Sequence, residues 1–173
     1  ATLEAGASTS PVTLKGKQEV FYFISGNGLM EAGNTTAEIY KGIGVLVPPN
    51  LEFTITNTGD EPMEMYLVSE SVPDDFRVNT EIVVRDENTA PYESSTVHWC
   101  MVFKRMFSSA DGLYHIESII TVTFAPGTMG QPHSHGMGTE ETWLALTEDI
   151  HLLFGKQLRY QPPGTAFMIP TDE

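Results

Sequence analysis

Gly127-Thr-Met-Gly-Gln-Pro-His133-Ser-His135, with Glu141 six residues further on, is the stretch on which the reading of this chain turns. Successive side chains of an extended strand alternate between its faces, so His133 and His135 are expected to aim both rings at one point. Glu141 reaches that point from the following strand if Gly136-Met137-Gly138-Thr139-Glu140 forms the loop between them. Two imidazoles and one carboxylate suit a divalent cation and leave coordination positions open for water or a ligand.

Working outward, the chain repeats itself at an offset of 122. Glu19-Val-Phe-Tyr-Phe-Ile-Ser is matched by Glu141-Thr-Trp-Leu-Ala-Leu-Thr, and Gly42-Ile-Gly-Val-Leu-Val-Pro48 by Gly164-Thr-Ala-Phe-Met-Ile-Pro170. Upstream the offset is 121, pairing Gly6 with Gly127 and Pro11 with Pro132. A repeat of this length points to two similar domains. Short β-rich runs at Val20 to Ser25, Ile43 to Val47, Leu51 to Thr56 and Met63 to Ser69 are bounded by turn signals such as Gly26-Asn27-Gly28 and Asn57-Thr58-Gly59-Asp60. No segment keeps a helical period, so a β-sandwich or barrel is expected. Residues 72–96 are polar and punctuated by proline; they read as the connection, with Ile82-Val83-Val84 as a strand inside it.

Gly127-(five residues)-His133-Ser-His135-(five)-Glu141-(six)-Glu148 resembles the first cupin motif: Gly, five residues, His-x-His, three or four residues, Glu, six residues, Gly. One extra residue precedes the Glu, and Glu148 stands where Gly is usual. Glu140 would restore the spacing, but Glu141 keeps the register of the repeat and is preferred. Gly164-(five)-Pro170 is similar to the start of the second cupin motif, which Gly42 to Asn57 covers in full with Phe53 at the last histidine position.

The resemblance implies an all-β fold, the double-stranded β-helix or jelly-roll cupin barrel, as two tandem cupin domains. The expected boundaries are an N-terminal domain without metal ligands over 1–75, a linker over 76–97, and a metal-binding domain over 98–173, incomplete at its C-terminal end. Carried onto the first copy, the ligand positions fall on Val12, Leu14, Glu19 and Phe53, a set in which three side chains cannot coordinate a cation. In the second copy, Phe53 advanced by 122 gives position 175, past Glu173. A fourth ligand is therefore expected from a continuation of the chain; alternatively, a strand from the N-terminal half or a partner chain completes the barrel.

Around the ligands, Trp143 shares the expected inward face of Glu141, and His151 lies on the next strand. Gln131 and Met129 precede the histidines at the mouth, so Trp143, His151 and Gln131 are the candidates for the substrate pocket. His98 and His115 read as isolated. Cys100 is the single cysteine, which excludes an intrachain disulfide and thiolate-rich zinc sites.

A net charge of −14 argues against nucleic acid and anionic membrane surfaces as partners. No apolar run is long enough to span a bilayer, and Ala1 to Ala5 lack the basic and apolar segments of a secretory leader, so the compartment stays open. The ion expected is Mn, Fe, Zn, Ni, Co or Cu, among which the donor types do not choose. Two classes of function stand open. One is a metalloenzyme acting on a small polar organic substrate, with His151 or Glu148 as candidates for proton transfer. The other is a non-catalytic binding, storage or structural protein. A homodimer is compatible with the apolar content.

Overall fold

The computed structural model describes residues 1–76, 79–95, 100–136 and 138–170; His98, read above as isolated, and the expected boundary at 97–98 lie outside them. In chain order the strands are β1 (Thr2–Leu3), β2 (Val12–Thr13), β3 (Lys17–Ser25), β4 (Gly28–Ala32), β5 (Thr35–Ile39), β6 (Ile43–Val47), β7 (Glu52–Asn57), β8 (Met63–Ser71), β9 (Val83–Asp86), β10 (Met101–Ser108), β11 (Ser118–Phe124), β12 (Glu141–Leu144), β13 (Ile150–Phe154), β14 (Gln157–Gln161) and β15 (Ala166–Ile169). The fold is all-β, with antiparallel pairing throughout the named strands.

Two sheets close the first core. One runs β1-β8-β3-β6-β9 and the other β2-β7-β4-β5. Alternation explains why they stack: β7 buries Phe53, Ile55 and Asn57 and turns Glu52, Thr54 and Thr56 outward. Phe21, Phe23, Val45, Val47 and Met65 from the first sheet meet Met30, Ala32, Ile39, Phe53 and Ile55 from the second. Burying each large side chain contributes about 1.5–3 kcal/mol, which makes this layer the main source of stability. Gly33, at φ 57°, supplies the left-handed first residue of the two-residue loop between β4 and β5. Asn57 is fully buried and ties the N-terminal segment down: its amide donates to the carbonyls of Leu3, Glu4 and Glu61, and its oxygen accepts from Gly59 N–H.

Strand β6 is buried at every position because both of its faces are covered. Its outer face meets the β10–β11 hairpin through Met106, Phe107 and Leu113, packed against Val20 and Leu46. Gly44 is required there: a Cβ would sit 2.8 Å from the Phe107 ring. Glu70 closes the contact. It accepts from the backbone N–H of Tyr114, His115 and Ile116 and from Gln18, which also donates to Gly112 O. Burial alone would raise the Glu70 pKa, but these hydrogen bonds outweigh it and hold the carboxyl below its ordinary range. The expected connection over 76–97 is thus partly built into the first sheet, where β9 pairs with β6.

The repeat seen in the sequence is present as strand register. Glu19↔Val47 to Tyr22↔Gly44 recurs as Glu141↔Ile169 to Leu144↔Ala166. Gly28↔Ile39 to Ala32↔Thr35 recurs as Ile150↔Gln161 to Phe154↔Gln157. Each later pair is the earlier one advanced by 122. Among the described residues the later ladders stay two-stranded, without counterparts of β7 and β8 on their other edges. No helix among the described residues is long and apolar enough to cross a membrane.

Candidate functional site

The two histidines do not sit in a ladder. His133 and His135 lie in the connection between β11 and β12, whereas the sequence reading put them on a strand. The physical reason is visible in the first copy. There Val12, the match of His133, lies in β2, and β2 exists by pairing with β7, Val12 opposite Phe53. Among the described residues nothing offers the later segment such a partner.

The donors gather all the same. His133 Nε2 lies 3.1 Å from His135 Nε2, and His135 Nε2 lies 3.5 Å from Glu141 Oε2. Glu141 opens β12, held in register opposite Ile169, while Glu140 and Glu148 are exposed. The same Glu141 oxygen accepts a 2.7 Å hydrogen bond from the Trp143 indole N–H. Trp143 in turn stacks on Phe167, centroids 6.3 Å apart, and stands 6.2 Å from Phe124. The aromatic group therefore sets the orientation of the carboxylate. His133 Nδ1 is 2.9 Å from the Gln131 carbonyl, so a proton on Nδ1 leaves Nε2 as the acceptor.

Among the described residues no group of three or more His, Cys, Asp or Glu is placed so that it could hold a metal ion. The donor chemistry fits an ion nonetheless. Ligands about 2.0–2.2 Å from a cation lie about 3 to 3.5 Å from one another, as His135 Nε2 does from His133 Nε2 and from Glu141 Oε2. Binding would replace the His133–His135 hydrogen bond and require Nε2 of both rings to be free of protons.

Of the pocket candidates, Trp143 contacts Glu141, and Gln131 adjoins His133 through its carbonyl. The Gln131 side-chain oxygen is buried without a hydrogen-bond partner. His151 is not brought in: it lies on the exposed side of β13 beside Tyr160, whose hydroxyl bonds Asp149 and is pushed up in pKa by that bond. Sequence reasoning gave no sign of the Trp143–Glu141 bond, although their two-residue spacing on one strand face made it reachable. A cavity of about 120 Å³ opens beside His133, lined by Leu152, Leu153, Phe154, Gly155 and Ile169. A larger cleft of about 540 Å³ holds Tyr40, Arg85, Asp86 and Arg105 and none of the residues above. Its arginines are already matched with acids, Arg85 with Asp111 and Arg105 with Glu93.

In the first copy three of the four matching positions are apolar. Val12, Leu14 and Phe53 belong to the sandwich core. Glu19 is pushed up in pKa by burial, partly offset by a Ser69 hydrogen bond and by Lys17.

Comparison with known proteins agrees with this architecture. The Cupin domain family profile matches residues 1–69. An uncharacterized protein of Methanocaldococcus jannaschii is 33% identical over 52 residues, 30% of this chain and 42% of that protein. A Pseudomonas aeruginosa protein described as glyoxylate-induced superposes with a TM-score of 0.73 at 15% identity, over 96% of this chain and 62% of its own. AerE of Microcystis aeruginosa gives 0.67 at 10% identity over 98% and 74%, and Ylba of E. coli gives 0.61 at 14% over 96% and 65%. At these identities the likeness is one of fold. The chain spans less than half the length of the curated relative it matches.

Proposed function

We propose that this chain, whose residues 1–69 match the Cupin domain profile, is a metal-binding bicupin whose second copy holds a divalent cation on His133, His135 and Glu141. The repeated strand register supports two tandem cupin units, with the first, over 1–75, serving as the packed base of the second, over 98–173. The observation that carries the reading is the approach of the donor atoms, His133 Nε2 to His135 Nε2 at 3.1 Å and His135 Nε2 to Glu141 Oε2 at 3.5 Å, between the β11–β12 connection and the start of β12.

The ion, once bound, would supply Lewis-acid polarisation of a carboxylate, carbonyl or hydroxyl oxygen of a small polar organic substrate. The residues of this chain do the positioning. Trp143 fixes Glu141, the Gln131 carbonyl fixes the ring plane of His133, and the small cavity behind His133 admits a short apolar flank while excluding a bulky one. A ligand-binding protein without turnover is the alternative, favoured by the absence of any second titratable side chain among the described lining residues of that cavity.

Elemental analysis of the purified protein tests the reading. One equivalent of a first-row divalent metal is expected in the wild type and little in His133→Ala/His135→Ala. Equal metal content in both proteins would contradict it.

A further inference from the structure

We infer that the side-chain oxygen of Gln131 is a further protein donor to the ion held by His133, His135 and Glu141; the inference rests on the reading just given. Among the described residues, Gln131 Oε1 is the only buried side-chain nitrogen or oxygen without a hydrogen-bond partner. Such an acceptor is unfavourable unless a donor or a cation meets it, and buried orphans concentrate where a ligand or ion belongs.

Its place in the loop favours a cation. The backbone oxygen of the same residue already engages His133 Nδ1, so Gln131 is fastened to the first imidazole. Pro132 between them has a fixed φ and no N–H, which leaves this joint little freedom. On the other side, Gly130 lies so close to Phe124 that a Cβ would meet its ring at 3.2 Å. Phe124 stands beside Trp143, which holds Glu141. Gln131 is thus bonded to His133 on one side and follows a residue packed on Phe124, the neighbour of Trp143, on the other. A neutral amide oxygen added to two imidazoles and a carboxylate makes a two-nitrogen, two-oxygen set that suits first-row divalent ions.

The test uses Co²⁺ alone, titrated into wild type, Gln131→Leu and Gln131→Glu, reading affinity and the visible absorption of the bound ion. Gln131→Leu is expected to weaken Co²⁺ binding by about tenfold or more and to alter the absorption bands. Gln131→Glu, which keeps the oxygen and adds charge, is expected to bind Co²⁺ at least as tightly as wild type. Wild-type affinity and spectrum in Gln131→Leu would overturn the inference, as would weaker binding by Gln131→Glu; the second variant decides the matter if the first does not fold. A wild type that takes up no Co²⁺ would instead sink the metal reading itself.

Discussion

The two copies of the repeat share a strand register and differ in what they enclose. In the first, the ladder of β3 with β6 is extended by β8 and β9 and faced by a second sheet, so Phe23, Val45 and Val47 are sealed from solvent. In the second, β12 with β15 and β13 with β14 stand as pairs, and beyond Leu113 only Ala145 is a buried apolar residue among those described. Leu153, Leu158 and Met168 are exposed at 60%, 70% and 56%. The same backbone pattern is therefore spent on packing in one place and on polar donors in the other. The registers of β12 with β15 and of β13 with β14 keep the earlier pattern because they are set by strand alternation and loop length, whereas the ladder position of Val12 is replaced by a connection at His133.

Substitutions can break or sharpen the contrast. Phe23→Ala, at a site with no exposure, is expected to cost about 3–5 kcal/mol in urea unfolding; a loss below about 1 kcal/mol would mean the first copy is not the stable base. Gly44→Val drives a side chain into Phe107 and is expected to cost about 1–3 kcal/mol, with β10 amides losing hydrogen-exchange protection before those of β7. Unchanged protection in β10 would deny the contact between the copies.

Glu70→Leu leaves the amides of Tyr114, His115 and Ile116 without their acceptor and is expected to cost about 1–3 kcal/mol. The sign with pH follows from the lowered folded-state pKa. The stabilisation is complete above the unfolded carboxyl value and is lost as pH falls through the lower folded one. Wild type should therefore lose stability on acidification more steeply than Glu70→Leu, and parallel pH profiles would contradict this role. At the small end, Leu158→Ser on the open face of β14 should shift stability by no more than about 0.5 kcal/mol in this chain.

Much of this was legible in the residues. The run Ile43 to Val47 is β6 to the residue, and the starts of β7 and β8 lie within one position of the expected ones. Alternating or continuous apolar runs between turn signals report local structure directly. The β4–β5 hairpin was missed, since Thr35-Thr-Ala-Glu-Ile39 carries weak β signal and Gly26-Asn27-Gly28 drew the eye as a turn. The clasp of Gln18 and Glu70 was also hidden, because a polar residue in a strand looks solvent-facing until the element covering it is known. Spacing brought His133, His135 and Glu141 together, yet it assigned the histidines a strand that requires a distant partner. The orphaned Gln131 oxygen depends on three-dimensional burial, which no spacing reveals.

The most direct test adds Mn²⁺ to isotopically labelled protein and maps paramagnetic broadening of side-chain and amide resonances. The account predicts broadening centred on His133, His135, Glu141 and the Trp143 indole, with Val12 and Phe53 unaffected. Broadening centred on Val12 and Phe53, or none beyond that of scattered surface carboxylates, would contradict it.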